Sequence, residues 1–185
     1  MLSLFKREGY DITISDEAFT LKPFRLIWNR DRTKSKEKAT MELGYIYHFA
    51  DPRSDYNKQL VDPDERKKAI KEGEGFPEKW EPDKILLDAI AFYESFKPMS
   101  ALLLEDTRVA VDKLRKLLRE IDLDAVDDKG KPKYTLNTIT STIKQVPELA
   151  KSLREAEDAL TQEIREMGRI KGQKEKALME DTLDI

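Results

Sequence analysis

Apolar and polar positions alternate with a helical period along most of the chain, most regularly over residues 99–121. There Leu103, Thr107, Ala110, Leu114, Leu117 and Ile121 follow one another at spacings of four, three, four, three and four. That alternation places them on one stripe of an α-helix. Leu104, Val111 and Leu118 widen the stripe into a face, while Glu105, Asp106, Arg108, Asp112, Arg115, Lys116 and Arg119 lie mostly away from it. Such a helix gains little from its backbone alone and needs partners for its apolar side. It is therefore the expected centre of the fold, with the other apolar stretches as its partners.

Before it, residues 10–15 alternate apolar and polar, as a short strand or an extended segment over the core does. Residues 16–20 suit one helical turn. Pro23 favours the first turn of a helix starting near Lys22, with Phe24, Ile27 and Trp28 as its buried face. A second helix over 35–50 carries Ala39, Leu43, Ile46, Tyr47 and Ala50 on one stripe, and Asp51-Pro52 ends it. Residues 53–60 read as polar loop. A short helix over 63–71 follows, capped by Asp62, with Asp64 and Glu65 at its favourable negative end. Residues 73–77 break the pattern. Pro82 opens a helix with Asp83 in its first turn, and its apolar face is Ile85, Leu86, Ala89, Ile90 and Tyr93. With the helix after Lys97-Pro98 it forms either a helical hairpin or one kinked helix.

Residues 127–132 are a turn on several criteria, as a small hairpin or a loop. The helical pattern resumes near Leu136 and keeps its spacing through Ile139, Ile143, Val146, Ala150, Leu153, Glu157, Leu160, Ile164 and Met167, with Pro147 expected to kink or restart it. The predicted architecture is mainly α: a helical bundle over 1–134, then a long C-terminal helix or arm and a charged tail over 135–185, with a short N-terminal strand or extended segment. Trp28, Leu43, Ile46, Leu86, Ile90, Leu103, Leu114 and Leu117 are the expected core. A helix over 147–170 would run about 36 Å. That exceeds the reach of a domain with a radius of gyration near 14 Å. Leu153, Leu160, Ile164 and Met167 are therefore candidate contacts between subunits.

Composition narrows the chemistry. Charged residues make up 38% of the 185, so much of the chain is solvated helix surface. A net charge of -3 argues against a uniformly basic nucleic-acid binder and leaves local patches open. With no cysteine there is no disulfide framework, thiol nucleophile or cysteine-based zinc site. The only histidine, His48, lies between Tyr47 and Phe49 and lacks ligand partners at helical spacing, so it reads as packed or capping. Asp122, Asp124, Asp127 and Asp128 lack the glycine and glutamate positions of a calcium loop. The glycines form neither a phosphate loop nor a dinucleotide fingerprint. The first residues carry no signal-peptide core, and no apolar run is long enough for a membrane span, so folding in a cytoplasm is expected.

The strongest charge feature is Lys22, Arg25, Arg30, Arg32, Lys34, Lys36 and Lys38, against Asp31 and Glu37 alone, with Trp28 inside it. It reads as a phosphate-contacting surface or as a solvated helix junction facing acidic groups. Trp28 shares the apolar face of Phe24 and Ile27, which favours the core over base stacking.

The run Phe24-Arg25-Leu26-Ile27-Trp28-Asn29-Arg30-Asp31-Arg32-Thr33-Lys34-Ser35-Lys36-Glu37-Lys38-Ala39, followed by Glu42-Leu43-Gly44-Tyr45-Ile46-Tyr47, resembles a "W-x-R-D-x-(T/S)-K-x-K" segment before an "E-L-x-Y-I-Y" helix. That segment belongs to virion structural proteins of tailed bacteriophages, including the crAss-like and related phages of Bacteroidota. The likeness extends through Lys79-Trp80-Glu81-Pro82-Asp83 to about Ile121 and is best in its first third. It implies a non-enzymatic ring or connector subunit at the head-to-tail neck, made in the host cytoplasm and joining portal and tail around the DNA channel. Homo-oligomeric assembly, neighbouring portal or tail proteins and non-specific contact with genomic DNA come with it; no cofactor, metal or membrane does. Arg25, Arg30, Arg32, Lys34, Lys36 and Lys38 would face the channel or another subunit. The alternatives are a DNA-associated protein and a scaffolding or assembly factor of the particle.

Overall fold

A computed structural model describes residues 4–8, 11–122, 125–126 and 130–180, with the side chains of 7, 8, 11 and 167–180 outside the description. The protein is mainly helical, with one two-stranded antiparallel sheet. It divides into two compact units, Met1–Pro98 and Met99–Ile185, so the most regular helix of the sequence belongs with the C-terminal helix.

In the first unit, strand β1 (Phe5–Glu8) pairs with β2 (Asp11–Ile14) in the register Phe5 to Ile14. The alternation at residues 10–15 is therefore a strand, and its partner lies in a stretch without such alternation. Phe5 is buried, its ring 5.5 Å from Tyr93 and 5.7 Å from Tyr47. The helical turn α1 (Asp16–Thr20) leads into α2 (Lys22–Arg30), which has Pro23 in its first turn and buries Phe24 and Ile27. Trp28 is only partly buried; it packs against Phe19 at 4.6 Å.

Helix α3 (Glu37–Ala50) is the centre of this unit, in contact with α2, α4 (Asp55–Gln59), α5 (Pro63–Gly73) and α6 (Lys84–Glu94). It buries Ala39, Leu43, Tyr45, Ile46, Tyr47 and Ala50. Helix α4 corrects the expected loop over 53–60. Ser54 caps it by accepting from the Asn57 amide at 3.2 Å, and Asn57 is itself buried, so a polar segment folds without an apolar stripe. Asp62 and Asp83 cap α5 and α6 through the Asp64, Glu65 and Leu86 amides. Gly75 takes the left-handed φ of 71° that ends the α5 segment.

The second unit is an antiparallel pair, α7 (Met99–Glu120) and α8 (Leu136–Glu180). Ala101 and Leu104 pack on Leu160, flanked by Leu153, Ala156 and Ile164. The buried side of α7 is thus Ala101, Leu104 and Arg108, and not the expected stripe. Leu103 is 55% exposed, Leu117 40%, and Leu114 is half-buried. The physical reason is the partner: α8 lies along the row beginning at Leu104, about one residue round the helix from the more regular row. Arg108, expected on the polar side, is 7% exposed and reaches Glu157 at 3.4 Å. Helix α8 runs through Pro147 as one element. Before it, an isolated bridge joins Val126 and Pro132, favouring the small hairpin; Asp124, Asp127 and Asp128 lie outside the described residues.

Candidate functional site

The basic run divides once its partners are visible. Arg30 donates from Nε and Nη2 to Glu42 Oε2 at 3.1 and 2.6 Å, and from Nη1 to Asp83. It ties α2 to the buried Glu42 of α3 and to the cap of α6. Burial works against its charge, but its hydrogen bonds to the Glu42 and Asp83 carboxylates prevail and its pKa rises. Lys36 donates to the Trp28 carbonyl at 3.1 Å and to that of Asp31, while its ammonium lies 5.6 Å from the Trp28 ring centroid. It closes the end of α2, and does so from a left-handed φ of 54°. Lys38 is 4.0 Å from Glu42. Arg30 and Lys36 are thus structural, whereas Arg25, Arg32 and Lys34 are exposed.

Two buried carboxylates that hydrophobic periodicity cannot register organise the same unit. Asp31 accepts from the Thr33 amide (2.9 Å), the Thr33 hydroxyl (2.7 Å) and the Ala39 amide (3.0 Å). It caps α3 from a distance, and those bonds, in that order of weight, hold its carboxyl down at about 2. Asp51 accepts from Tyr93 Oη (2.6 Å) and from Arg53 Nε (2.9 Å) and Nη2 (2.7 Å). Burial, then the Asp51 charge, pushes the Tyr93 phenol well above its usual range.

His48 is partly buried, as expected of a packed histidine, but it also lines a cavity of about 430 Å³ with Tyr47, Tyr56, Asp55 and Glu74. Its ring meets Tyr47 and Tyr56 edge-on at 5.5 and 5.1 Å, and its Nε2 is 3.5 Å from Glu74 Oε1. The Tyr56 hydroxyl donates to that same oxygen at 2.9 Å. Gly73 permits this: a Cβ there would stand 2.1 Å from the hydroxyl. Burial, then the bond to Glu74, raises the Tyr56 phenol to about 12, so it stays a neutral donor. A second cavity, of about 570 Å³ beside α5, has Lys67 and Lys71 both engaged by Glu81. Among the described residues no group of acidic and histidine side chains is placed to hold a metal ion.

On the second unit, Leu153, Leu160 and Ile164 pack on α7 of the same chain, with Leu160 4% exposed. They are not an open edge; the Met167 side chain lies outside the described residues. Among the described residues of this unit the exposed large apolar side chains are Met99, Leu102, Leu103 and Leu117 of α7, Leu136, Ile143 and Val146 of α8, and Val126 between the two helices. No described helix is long and apolar enough to cross a membrane. Neither a protein-family model, nor a curated protein, nor a solved structure matches the chain.

Proposed function

We propose that this protein is a non-enzymatic structural subunit of a tailed-phage particle, assembling with copies of itself as a ring at the head-to-tail neck, where portal and tail proteins adjoin it. The observation that carries the assembly reading is the α7–α8 pair. The 45-residue α8 is twice the length of the 22-residue α7, so α7 cannot cover it. Both helices also leave large apolar side chains in solvent, Leu103 and Leu117 on one and Leu136 and Ile143 on the other. Rows of this kind suit helix-to-helix contact between subunits. The placement in a phage neck is supported by the likeness of residues 24–121 to virion proteins of that group. DNA contact is the second reading, favoured by the exposure of Arg25, Arg32 and Lys34.

Sedimentation of the full chain over a concentration series tests assembly. The expected result is a defined oligomer that the pair Ile143→Glu and Val146→Glu returns to monomer. A wild-type chain that stays monomeric throughout, and that mass spectrometry does not find in purified particles of its phage, overturns the proposal. Salt-dependent binding to duplex DNA, abolished by neutralising Arg25, Arg32 and Lys34, would replace it with the second reading.

A further inference from the structure

Resting on the assembly part of that reading, and not on its place in a phage, we infer that α7 pairs with α7 of a second copy. The two helices run antiparallel about a two-fold axis between Thr107 and Ala110. Three observations on the second unit point to that occupant. The first is a second apolar row. Leu103, Thr107, Ala110, Leu114 and Leu117 keep spacings of four, three, four and three, as the positions of a coiled-coil seam do. They lie one residue, about 100°, round the helix from the row that packs on α8. A helix in a bundle can thus meet α8 on one side and a second partner on the other. Leu103 and Leu117 are left exposed to receive it.

The second observation is the charge beside the row. Asp106 and Lys113 are exposed on its flank away from α8, one heptad apart. Among the described residues neither has an ion-pair partner. An antiparallel copy centred between Thr107 and Ala110 sets its Lys113 opposite Asp106, and the two-fold makes that contact twice. Leu103 then meets Leu114, and Thr107 meets Ala110. Moving the axis half a heptad, to between Ala110 and Leu114, would set Lys113 against its own copy and Asp106 against Glu120. Charge therefore selects the register. The third observation is direction. The first half of α7 carries Glu105 and Asp106, with Arg108 engaged by Glu157. The second half carries Lys113, Arg115, Lys116 and Arg119, against Glu120 and the Asp112 that Lys116 holds. A parallel partner would stack the basic halves; an antiparallel one sets acidic against basic. Within each copy Leu104 packs with Leu160 and Arg108 reaches Glu157, which fixes the level of α8. The same axis brings Ile143 and Val146 of one α8 level with the segment near residue 170 of the other, so both exposed rows of the unit serve one contact. Such a pair joins copies two by two, and a ring built of pairs closes through a further contact.

The chain has no cysteine, so introduced cysteines report contacts without background. The full chain is oxidised with copper phenanthroline at a concentration where sedimentation shows it associated. Leu103→Cys mixed with Leu114→Cys should form a disulfide-linked dimer at least fivefold faster than either variant alone. A second measurement uses exposed positions, where folding is not at stake. Asp106→Lys and Lys113→Asp should each weaken association at least fivefold, and the two changes in one chain should restore it to within twofold of wild type. Leu103→Cys linking to itself as fast as in the mixture shows a parallel pair and overturns the inference, while assembly stands. So does an oligomer that gives no such cross-link and ignores both charge reversals. A wild-type chain that stays monomeric at every concentration removes the assembly reading and the pair together.

Discussion

Helices α3 and α7 teach opposite lessons from similar material. Helix α3 is packed on by four other helices, and even its Glu42 is buried, because Arg30 comes to it. Helix α7 buries only Ala101, Leu104 and Arg108 and leaves Leu103 and Leu117 in solvent. Yet α7 has the cleaner stripe. A stripe needs a polar side to stand out against, and a helix enclosed on most sides has little of one. Regularity of pattern therefore measures how much of a helix meets water, not how central it is.

Five variants break or sharpen that comparison. Trp28 and Trp80 both lie in the first unit, so tryptophan fluorescence in urea follows that unit, while circular dichroism follows the whole chain. The largest effect is expected from Asp51→Ala, which strips Arg53 and Tyr93 of their shared acceptor. A loss of about 3–5 kcal/mol should appear in the fluorescence midpoint. Leu43→Ala, at the fully buried centre of α3, should cost about 3 kcal/mol by the same readout. Leu104→Ala on α7 should cost about 2 kcal/mol in the circular dichroism transition and leave the fluorescence midpoint in place.

The fourth test is acid. Asp31 is held at about 2 against an ordinary 3.8, so the stability it supplies is complete above about pH 4 and is lost as pH falls towards 2. Asp31→Asn should lower the fluorescence midpoint at neutral pH, and the gap from wild type should close over that window. A gap that is constant with pH would show that the carboxyl is not what caps α3. Least of all, Leu103→Ala should fall within about 0.5 kcal/mol. If it matched Leu104→Ala, the buried side of α7 would be the regular row after all.

What the sequence made legible follows from which signals are local. Pro23 and Asp62 marked the starts of α2 and α5 because capping is decided within one turn, whereas α6 starts two residues later than Pro82 suggested, with Asp83 as its cap and not in its first turn. The apolar spacing of α8 led to its packing through Leu153, Leu160 and Ile164, though α7 of the same chain covers them. Strand β1 was hidden because a four-residue strand beside its hairpin partner offers little alternation. Helix α4 was hidden because its stability comes from Ser54 and the buried Asn57; Ser54, three residues before Asn57, was the available sign. The roles of Arg30, Lys36, Asp31 and Asp51 depend on partners brought from other elements, and Arg30 reaches one 53 residues away. In the cavity, His48 was singled out, but Glu74 and Tyr56 join it only when the end of α5 folds back beside α4.

The length of α8 also makes it a ruler. Forty-five residues at 1.5 Å each measure about 68 Å from one end to the other, and helix geometry links every change of length to a rotation. Removing seven residues shortens the rod by about 10 Å and turns everything beyond the cut by only about 20°. Removing two shortens it by about 3 Å but swings the far end to nearly the opposite side, at about 200°. Anything bound at both ends of α8 would tolerate the first change as a shift in spacing and suffer the second as a loss of facing. Distance and orientation are thus set by the same count of residues.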